Sequence, residues 1–198
     1  RHAQKVAVLF IDLDGFKLIN DSLGHLSGDE ALKLVSSRIV SQIRPGDTLA
    51  RIGGDEFVLL VPDVQDDELL PQLAGRILTT IAEPITLQGQ QVQLTASIGI
   101  SVSGAELTEP MQLVQQADLA MYRAKQLGRN NYQWYDAEMD QSLSKQLSLK
   151  AMLRKAIEQQ ELELYYQPQV DAVTNELVGL EALLRWPHPE QGFISPDE

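Results

Sequence analysis

Apolar residues follow two kinds of pattern along this 198-residue chain, and each kind predicts elements. Val6 to Ile11 (VAVLFI) is a continuous apolar run, the mark of a strand covered on both faces, and Asp12-Leu13-Asp14-Gly15 closes it. Ser27-Gly28-Asp29-Glu30 reads as a capping box before Leu32, Val35, Ile39 and Ile43, so the spacing predicts a helix over 28–43. Arg44-Pro45-Gly46-Asp47 stops it, with Pro and Gly where a type II turn wants them. A hairpin follows, with Ile52 on one arm, Phe57 to Leu60 on the other, and Gly53-Gly54 at the turn. Asp66 is the predicted cap of a second helix, with Leu69, Leu73, Ile77 and Ile81 inward. From Val92 to Val102 the even positions are apolar and the odd ones mostly polar, which predicts a long half-buried strand. Gln88-Gly89-Gln90 turns it back on Pro84 to Leu87. A third helix is expected from Pro110 to Leu127, with Val114, Ala117, Met121 and Ala124 on one face and Gly128 as its C′ residue. Helices interleaved with strands, some joined as hairpins, give an α+β sandwich with a mixed central sheet.

The pattern changes after about Tyr135. Residues 136–160 contain no Gly or Pro, and Leu143, Leu147, Met152 (or Leu153) and Ala156 keep rough helical spacing. Leu162 to Val170 reads as a strand, Thr174-Asn175 as a turn, Leu177 to Trp186 as a strand, and the segment from Trp186 onward as loop. Two strands and a helix cannot enclose a core. The expected organisation is a first domain over 1–136, a helical connector over 137–147, and the start of a second domain over 148–198.

Composition narrows the possibilities further. The chain has no cysteine, which excludes disulfides and thiolate metal sites and suits a reducing cytoplasm. A formal net charge of −12 argues against a nucleic-acid-binding surface. Phosphate ligands stay open, because local Lys and Arg or a metal ion can reverse the sign within a site. No apolar run is long enough to span a bilayer, and no secretion signal opens the chain, so no membrane contact is expected from this segment. The expected location is cytoplasmic. The interior-looking start at Arg1 leaves anchoring of a longer parent to the inner membrane open.

Two pairs of carboxylates suggest chemistry. A buried strand ending in Asp12-x-Asp14 puts two of them at the sheet's edge, where hard oxygen ligands favour Mg²⁺. Aspartates also end strands and cap turns for purely local reasons. Asp55-Glu56 at the hairpin tip adds like charges that raise each other's pKa unless a cation offsets them, beside glycines that permit close approach of a ligand. On the residues alone, a metal-holding tip and a solvated turn are equally good readings.

Gly53-Gly54-Asp55-Glu56-Phe57 resembles the signature of the GGDEF family, the bacterial diguanylate cyclases. Asp12-Leu13-Asp14-Gly15-Phe16-Lys17, Asn20-Asp21, Gly24-His25 and Gly28-Asp29 resemble the family's other long motif, in order and spacing. Ala117-Asp118, Ala120-Met121-Tyr122, Ala124-Lys125 and Gly128-Arg129-Asn130 resemble its last helix. The resemblance covers residues 5 to about 135. It implies a palm fold like that of the nucleotide cyclases, in which two GTP molecules on two facing subunits become cyclic di-GMP and two pyrophosphates, so that a homodimer is required. By position, Asp12, the Leu13 carbonyl and Asp55 would hold Mg²⁺ or Mn²⁺, with Asp55 and Glu56 as the catalytic pair. Asn20 and Asp29 would read guanine. The amides of Gly15, Phe16 and Lys17 would cradle the β- and γ-phosphates, and Lys125 and Arg129 would reach them. Cations at a helix end also complement its dipole whatever the function. The intact signature favours an enzyme over the alternative, a catalytically silent GTP- or cyclic di-GMP-binding module that tunes its neighbour.

Arg44-x-x-Asp47 resembles the family's inhibitory product site, with Arg76 as a further candidate. "LELYYQPQVD" and "LVGLEALLRWPHP" resemble the opening of the EAL family, cyclic di-GMP phosphodiesterases built on a TIM-like barrel. By position Glu181 would be a metal ligand there, with Gln167 and Arg185 contacting substrate. The later strands that carry the rest of that site lie outside this sequence, so the EAL part here is incomplete.

Overall fold

The computed structural model describes residues 5–104, 109–188 and 192–194, with the backbone alone for 141–147 and 188. In chain order it carries β1 (Ala7–Asp14), α1 (Phe16–Leu23), α2 (His25–Val40), β2 (Thr48–Gly53), β3 (Glu56–Val61), α3 (Leu69–Ile81), β4 (Ile85–Leu87), β5 (Gln90–Val92), β6 (Thr95–Val102), α4 (Pro110–Gln126), β7 (Tyr132–Trp134), α5 (Glu138–Glu158), β8 (Glu163–Val170), β9 (Leu177–His188) and β10 (Gly192–Ile194). Two compact units divide at Asp140/Gln141.

In the first unit the sheet order is β2-β3-β1-β6-β7, so β1 is its central strand. β3 and β6 run antiparallel to β1 and β7 runs parallel to β6, which makes the sheet mixed. The continuous apolar run of β1 follows from this position. Its Ala7, Leu9, Ile11 and Leu13 pack with residues of α1, α2 and α3. Its Val8 and Phe10 pack with Leu113, Ala117 and Met121 of α4. Asp12 and Asp14 therefore sit at the C-terminal end of the central strand, not at an edge of the sheet.

Several expectations need correction. The capping box does not form: α2 starts three residues before Gly28, behind Gly24, and ends at Val40. Ser27 lies inside the helix, where its hydroxyl donates to the Leu23 carbonyl (3.0 Å) and accepts from Gln88 Nε2 (2.7 Å). A whole helix, α1, precedes it. Gly15, in the left-handed region at φ 75°, turns the end of β1 directly into that helix, a role not evident when a glycine is read only as a strand breaker. Asp66 caps the turn leading into α3 by accepting from the Glu68 amide (2.9 Å), and Leu69 is 54% exposed while Leu70 takes the inward position.

The segment 92–102 is not one half-buried strand. A break at Gln93-Leu94 separates β5, which pairs with β4, from β6. The polar positions of β6 do not face water: Ser97 and Ser101 are buried, and α4 lies over them. A Cβ on Gly99 would fall 1.9 Å from the Ala117 carbonyl oxygen and 2.2 Å from the Met121 nitrogen. Small residues at 97, 99 and 101 let the helix backbone rest on the strand, and the Ser101 hydroxyl donates to the Leu113 carbonyl (2.6 Å). The far end of α4 follows the sequence: Gly128 is left-handed (φ 106°), and the Arg129 amide reaches back to the Ala124 carbonyl (3.2 Å) in a Schellman closure. The chain then forms β7, which the sequence had not suggested.

In the second unit α5 precedes a β8–β9 hairpin whose turn is held by Asp171 Oδ1, accepting from the amides of Val173 and Thr174 (2.8 Å each). The side chains of Leu143 and Leu147 lie outside the described residues. Trp186 to His188, read as loop, extend β9 instead and pair with β10. Ala156, Trp186 and Ile194 form a small buried cluster, while β8 is exposed along its whole length. Among the described residues no helix is long and apolar enough to cross a membrane.

Candidate functional site

Two segments flank the C-terminal end of β1. The β2–β3 hairpin is pinned alongside it: Asp12 is the register partner of Glu56, and the Leu13 amide donates to the Asp55 carbonyl (3.3 Å). Gly54 is left-handed (φ 52°), and its carbonyl accepts from Arg51 Nε (2.9 Å), which holds the tip in shape. From the other side comes the end of α4, whose Lys125 Nζ sits 2.7 Å from Asp12 Oδ2.

Asp12 is buried, and burial is the main cause of its raised pKa. The hydrogen bond and charge of Lys125 pull the other way, and the negative charges of Asp55 and Glu56 add to the rise. A buried carboxylate facing two more is a site short of positive charge. Among the described residues no three acidic or histidine side chains are close enough together to hold an ion by themselves. A divalent ion here would take two carboxylates and main-chain oxygen, a hard-oxygen set of the kind Mg²⁺ accepts while keeping waters and phosphate oxygens.

The two aspartates of the D-x-D pair differ sharply. Asp14 is saturated: its Oδ2 accepts from Thr95 Oγ1 (2.8 Å) and the Asn130 amide (3.1 Å), and its Oδ1 accepts from Ser97 Oγ (2.8 Å), with Arg129 Nε at 3.9 Å. It is not a second open ligand.

The residues expected at the nucleotide lie on or beside α1, α2 and the end of α4. Gly15 is the N-cap of α1, and the amides of Phe16 and Lys17 belong to its first turn, where helical N–H groups lack intrahelical acceptors. The Phe16 side chain is in the core, so any contact it makes with a ligand is through its backbone. Asn20 on α1 and Asp29 on α2 flank the corner between the helices. A Cβ on Gly28 would lie 2.0 Å from Asn20 Oδ1, so the carboxamide rests on bare backbone there. Gln88, from the β4–β5 turn, ties this corner by donating to the Leu23 carbonyl (3.1 Å) and to Ser27. Sequence reasoning overlooked Asp14, Gly28 and Gln88 as supports. Gly28 beside Asp29 was a usable signal; Gln88 offered none.

Arg44 and Asp47 sit elsewhere. Arg44 Nε donates to Asp47 Oδ1 (2.9 Å), its amide donates to Oδ2 (3.1 Å), and its guanidinium also donates to the Pro62 carbonyl. The Asp47 amide closes the turn onto the Arg44 carbonyl (3.0 Å), but Gly46 is not left-handed, so the turn is not type II. Both residues line a cavity of about 260 Å³, together with Arg76, Gln42 and an apolar wall that includes Leu70 and Leu73. In the second unit Gln167 and Glu181 are register partners, and Arg185 follows on the same face of β9.

The family model described as "Diguanylate cyclase, GGDEF domain" matches residues 1–131, and the EAL domain model matches 150–198. The chain is 42% identical over 198 residues to the bifunctional diguanylate cyclase/cyclic di-GMP phosphodiesterase MucR of Pseudomonas aeruginosa, covering 100% of the chain and 29% of MucR. It is 43% identical over 192 residues to the cyclic di-GMP phosphodiesterase NbdA of the same organism, covering 97% of the chain and 24% of NbdA. The chain thus spans less than a third of the length of these relatives. Among solved structures, a form of P. aeruginosa YfiN (TpbB) comprising only the GGDEF domain superposes with a TM-score of 0.69 at 37% identity, covering 72% of this chain and 84% of that one.

Proposed function

Because the chain belongs to the GGDEF diguanylate cyclase family and continues into the start of an EAL domain, we propose that its first unit condenses two GTP into cyclic di-GMP across a homodimer. The observation that carries this is the cluster at the end of β1, where buried Asp12 faces Asp55, Glu56 and Lys125. The 3′-oxygen of each GTP bonds to the α-phosphorus of the other, each hydroxyl loses its proton, and two pyrophosphates leave. Mg²⁺ or Mn²⁺ held by Asp12, Asp55 and the Leu13 carbonyl would supply the charge neutralisation that such a transfer needs. Glu56 stands beside Asp12 to assist at the 3′-hydroxyl or at the ion. Asp29 accepts from the guanine N1 and amino hydrogens, which adenine lacks, and Asn20 completes the reading of the base edge. The α1 amides, Lys125 and Arg129 bind the phosphates.

The test is incubation of the chain with GTP and Mg²⁺. Cyclic di-GMP supports the enzyme. Tight GTP binding without product overturns it and leaves a regulatory module, a reading consistent with relatives such as NbdA that carry a phosphodiesterase name. By the same residue match, Glu181 is proposed as a metal ligand and Gln167 and Arg185 as substrate contacts of an EAL domain.

The raised pKa of Asp12 gives a pH signature. A carboxyl with a folded pKa above its unfolded value stabilises the fold at low pH and loses that contribution as pH rises through the folded pKa. At neutral pH the ionised group is a cost that a divalent ion relieves. We expect Mn²⁺ at about 100 times its Kd to raise the melting temperature by several degrees at pH 7.5, an effect that fades on acidification as Asp12 protonates. A shift independent of pH, or one retained in Asp12→Asn, counts against Asp12 as a ligand; calorimetry reads both.

Arg44 and Asp47 are proposed as a product-binding site, supported by their position with Arg76 on one cavity. Arg44→Ala is expected to raise the steady-state product level by relieving feedback. Unchanged product inhibition in that variant removes the site.

A further inference from the structure

The Asp14 side chain is only 5% exposed, and it gathers more polar contacts than that of Asp12. Its two oxygens face the Thr95 and Ser97 hydroxyls (2.8 Å each), the Asn130 amide (3.1 Å) and Arg129 Nε (3.9 Å). All four are donors in this arrangement. The Asn130 amide and the Arg129 guanidinium can only donate, and a carboxylate accepts from these and from both hydroxyls at once. An amide in its place would remove the charge facing Arg129 and leave one accepting oxygen where the carboxylate has two.

The turn it holds is an unusual piece of backbone. Gly128, Arg129 and Asn130 are successively left-handed, with φ 106°, 61° and 50°. Glycine adopts this region freely, but two non-glycine residues in a row do so only when their surroundings impose it. Asn131 helps from inside the turn, its side chain donating to the carbonyls of Ala124 (2.8 Å) and Arg129 (3.0 Å). The Ile98 amide of β6 donates to the Asn131 carbonyl (3.0 Å), and Asp14 adds a second tie: through the Asn130 amide it fastens the turn to β1, and through Thr95 and Ser97 its own rotamer is locked to β6. The backbone that bears Arg129 is therefore fixed relative to the strand that ends in Asp12.

We propose that Asp14 is a positioning residue for triphosphate binding: it anchors the left-handed 128–130 turn so that Arg129, just past the end of α4, presents its guanidinium to the nucleotide's phosphates. The inference rests on the nucleotide site proposed above. It adds a role for the second aspartate of the D-x-D pair, one that works through the turn and not by ligating an ion. It also explains why Arg129 is held loosely. At 3.9 Å its Nε is near the carboxylate without a tight bond, so the side chain is oriented and still free to reach an anion.

The test separates phosphate from base. Binding of GMP and of 3′-deoxy-GTP, which cannot condense, is measured for the full chain with Mg²⁺. The unaltered chain should prefer the triphosphate; if it does not, the nucleotide-site reading fails and this inference with it. If it does, Asp14→Asn should weaken 3′-deoxy-GTP about tenfold and leave GMP within about twofold, as expected for loss of one well-placed charge-assisted contact. In an Arg129→Ala background the same change should add less than about twofold, because the two residues act as one unit. An equal loss for both nucleotides, no loss for either, or an additive loss in the Arg129→Ala background overturns the proposal while leaving the nucleotide site standing. Should Asp14→Asn fail to fold, Thr95→Val decides the matter: it removes one of the donors that lock Asp14, and should weaken 3′-deoxy-GTP selectively, by about threefold. A uniform loss or none in that variant also overturns it.

Discussion

Asp55→Ala is expected to abolish cyclic di-GMP formation, by on the order of 10³-fold, without unfolding the chain. The split between effect and tolerance follows from which atoms of Asp55 do what. Its backbone carbonyl, which alanine keeps, accepts from the Leu13 amide and helps pin the hairpin to β1. Its carboxylate sits half-buried at the tip and adds repulsion to Asp12. Removing it therefore relieves a cost in the metal-free protein, and the change in stability should stay within about 1 kcal/mol. Product formation and urea denaturation on the same preparation check both halves. Residual activity within about tenfold of the unaltered chain would remove Asp55 from the metal set. Global unfolding would mean that its carboxylate supports the fold in a way the geometry does not suggest.

The second large effect concerns stability alone. Gly99→Ala places a methyl group 1.9 Å from one backbone atom of α4 and 2.2 Å from another, and neither can swing away as a side chain would. The whole helix must lift from the sheet, opening the contacts of Leu113, Ala117 and Met121 with Val8 and Phe10. We expect a loss of at least about 3 kcal/mol, the upper end of overpacking costs, read as a lower urea midpoint. Gly75→Ala is the matched control. Gly75 lies within α3, keeps no positive φ, and has open space where a Cβ would go, so alanine there should stabilise by about 0.5–1 kcal/mol. Equal effects of the two changes would refute the account of how α4 seats on β6. Such a loss would also reach the site, because α4 carries Lys125 and leads into the 128–130 turn.

The β6 segment shows why part of the fold was hidden. Its odd positions, Ser97, Gly99 and Ser101, have the polarity of a solvent face, and a period-two pattern cannot distinguish small residues chosen for water from small residues chosen for contact with a helix. The same limit concealed α1: eight residues with Phe16 and Ile19 inward make too short a run for helical periodicity to stand out, and Gly15 looks like an ending when it is a turning point. β7 is three residues long and owes its strand conformation to hydrogen bonds with β6. By contrast, the β2–β3 hairpin, the inward face of α4 and its Gly128 closure were legible, since each is set by neighbours within a few residues.

What the sequence alone determined about this protein is the family motif set and the elements that local backbone preferences dictate: a buried strand ending in two aspartates, a Gly-Gly turn tipped by Asp55 and Glu56, and a cationic helix end. The motif match singled out Asp12, but only the tertiary structure shows what closes Asp14. Asp12 and Asp14 are two positions apart on the same face of one strand, and nothing in their local sequence separates them. The difference comes from partners 81, 83 and 116 residues away, the Thr95 and Ser97 hydroxyls and the Asn130 amide, which converge on Asp14 and leave Asp12 to Lys125. Such partners meet only when β6 and the turn after α4 are laid beside β1. A local pattern records which face a side chain occupies, whereas its hydrogen-bond partners are settled by the packing of the whole unit.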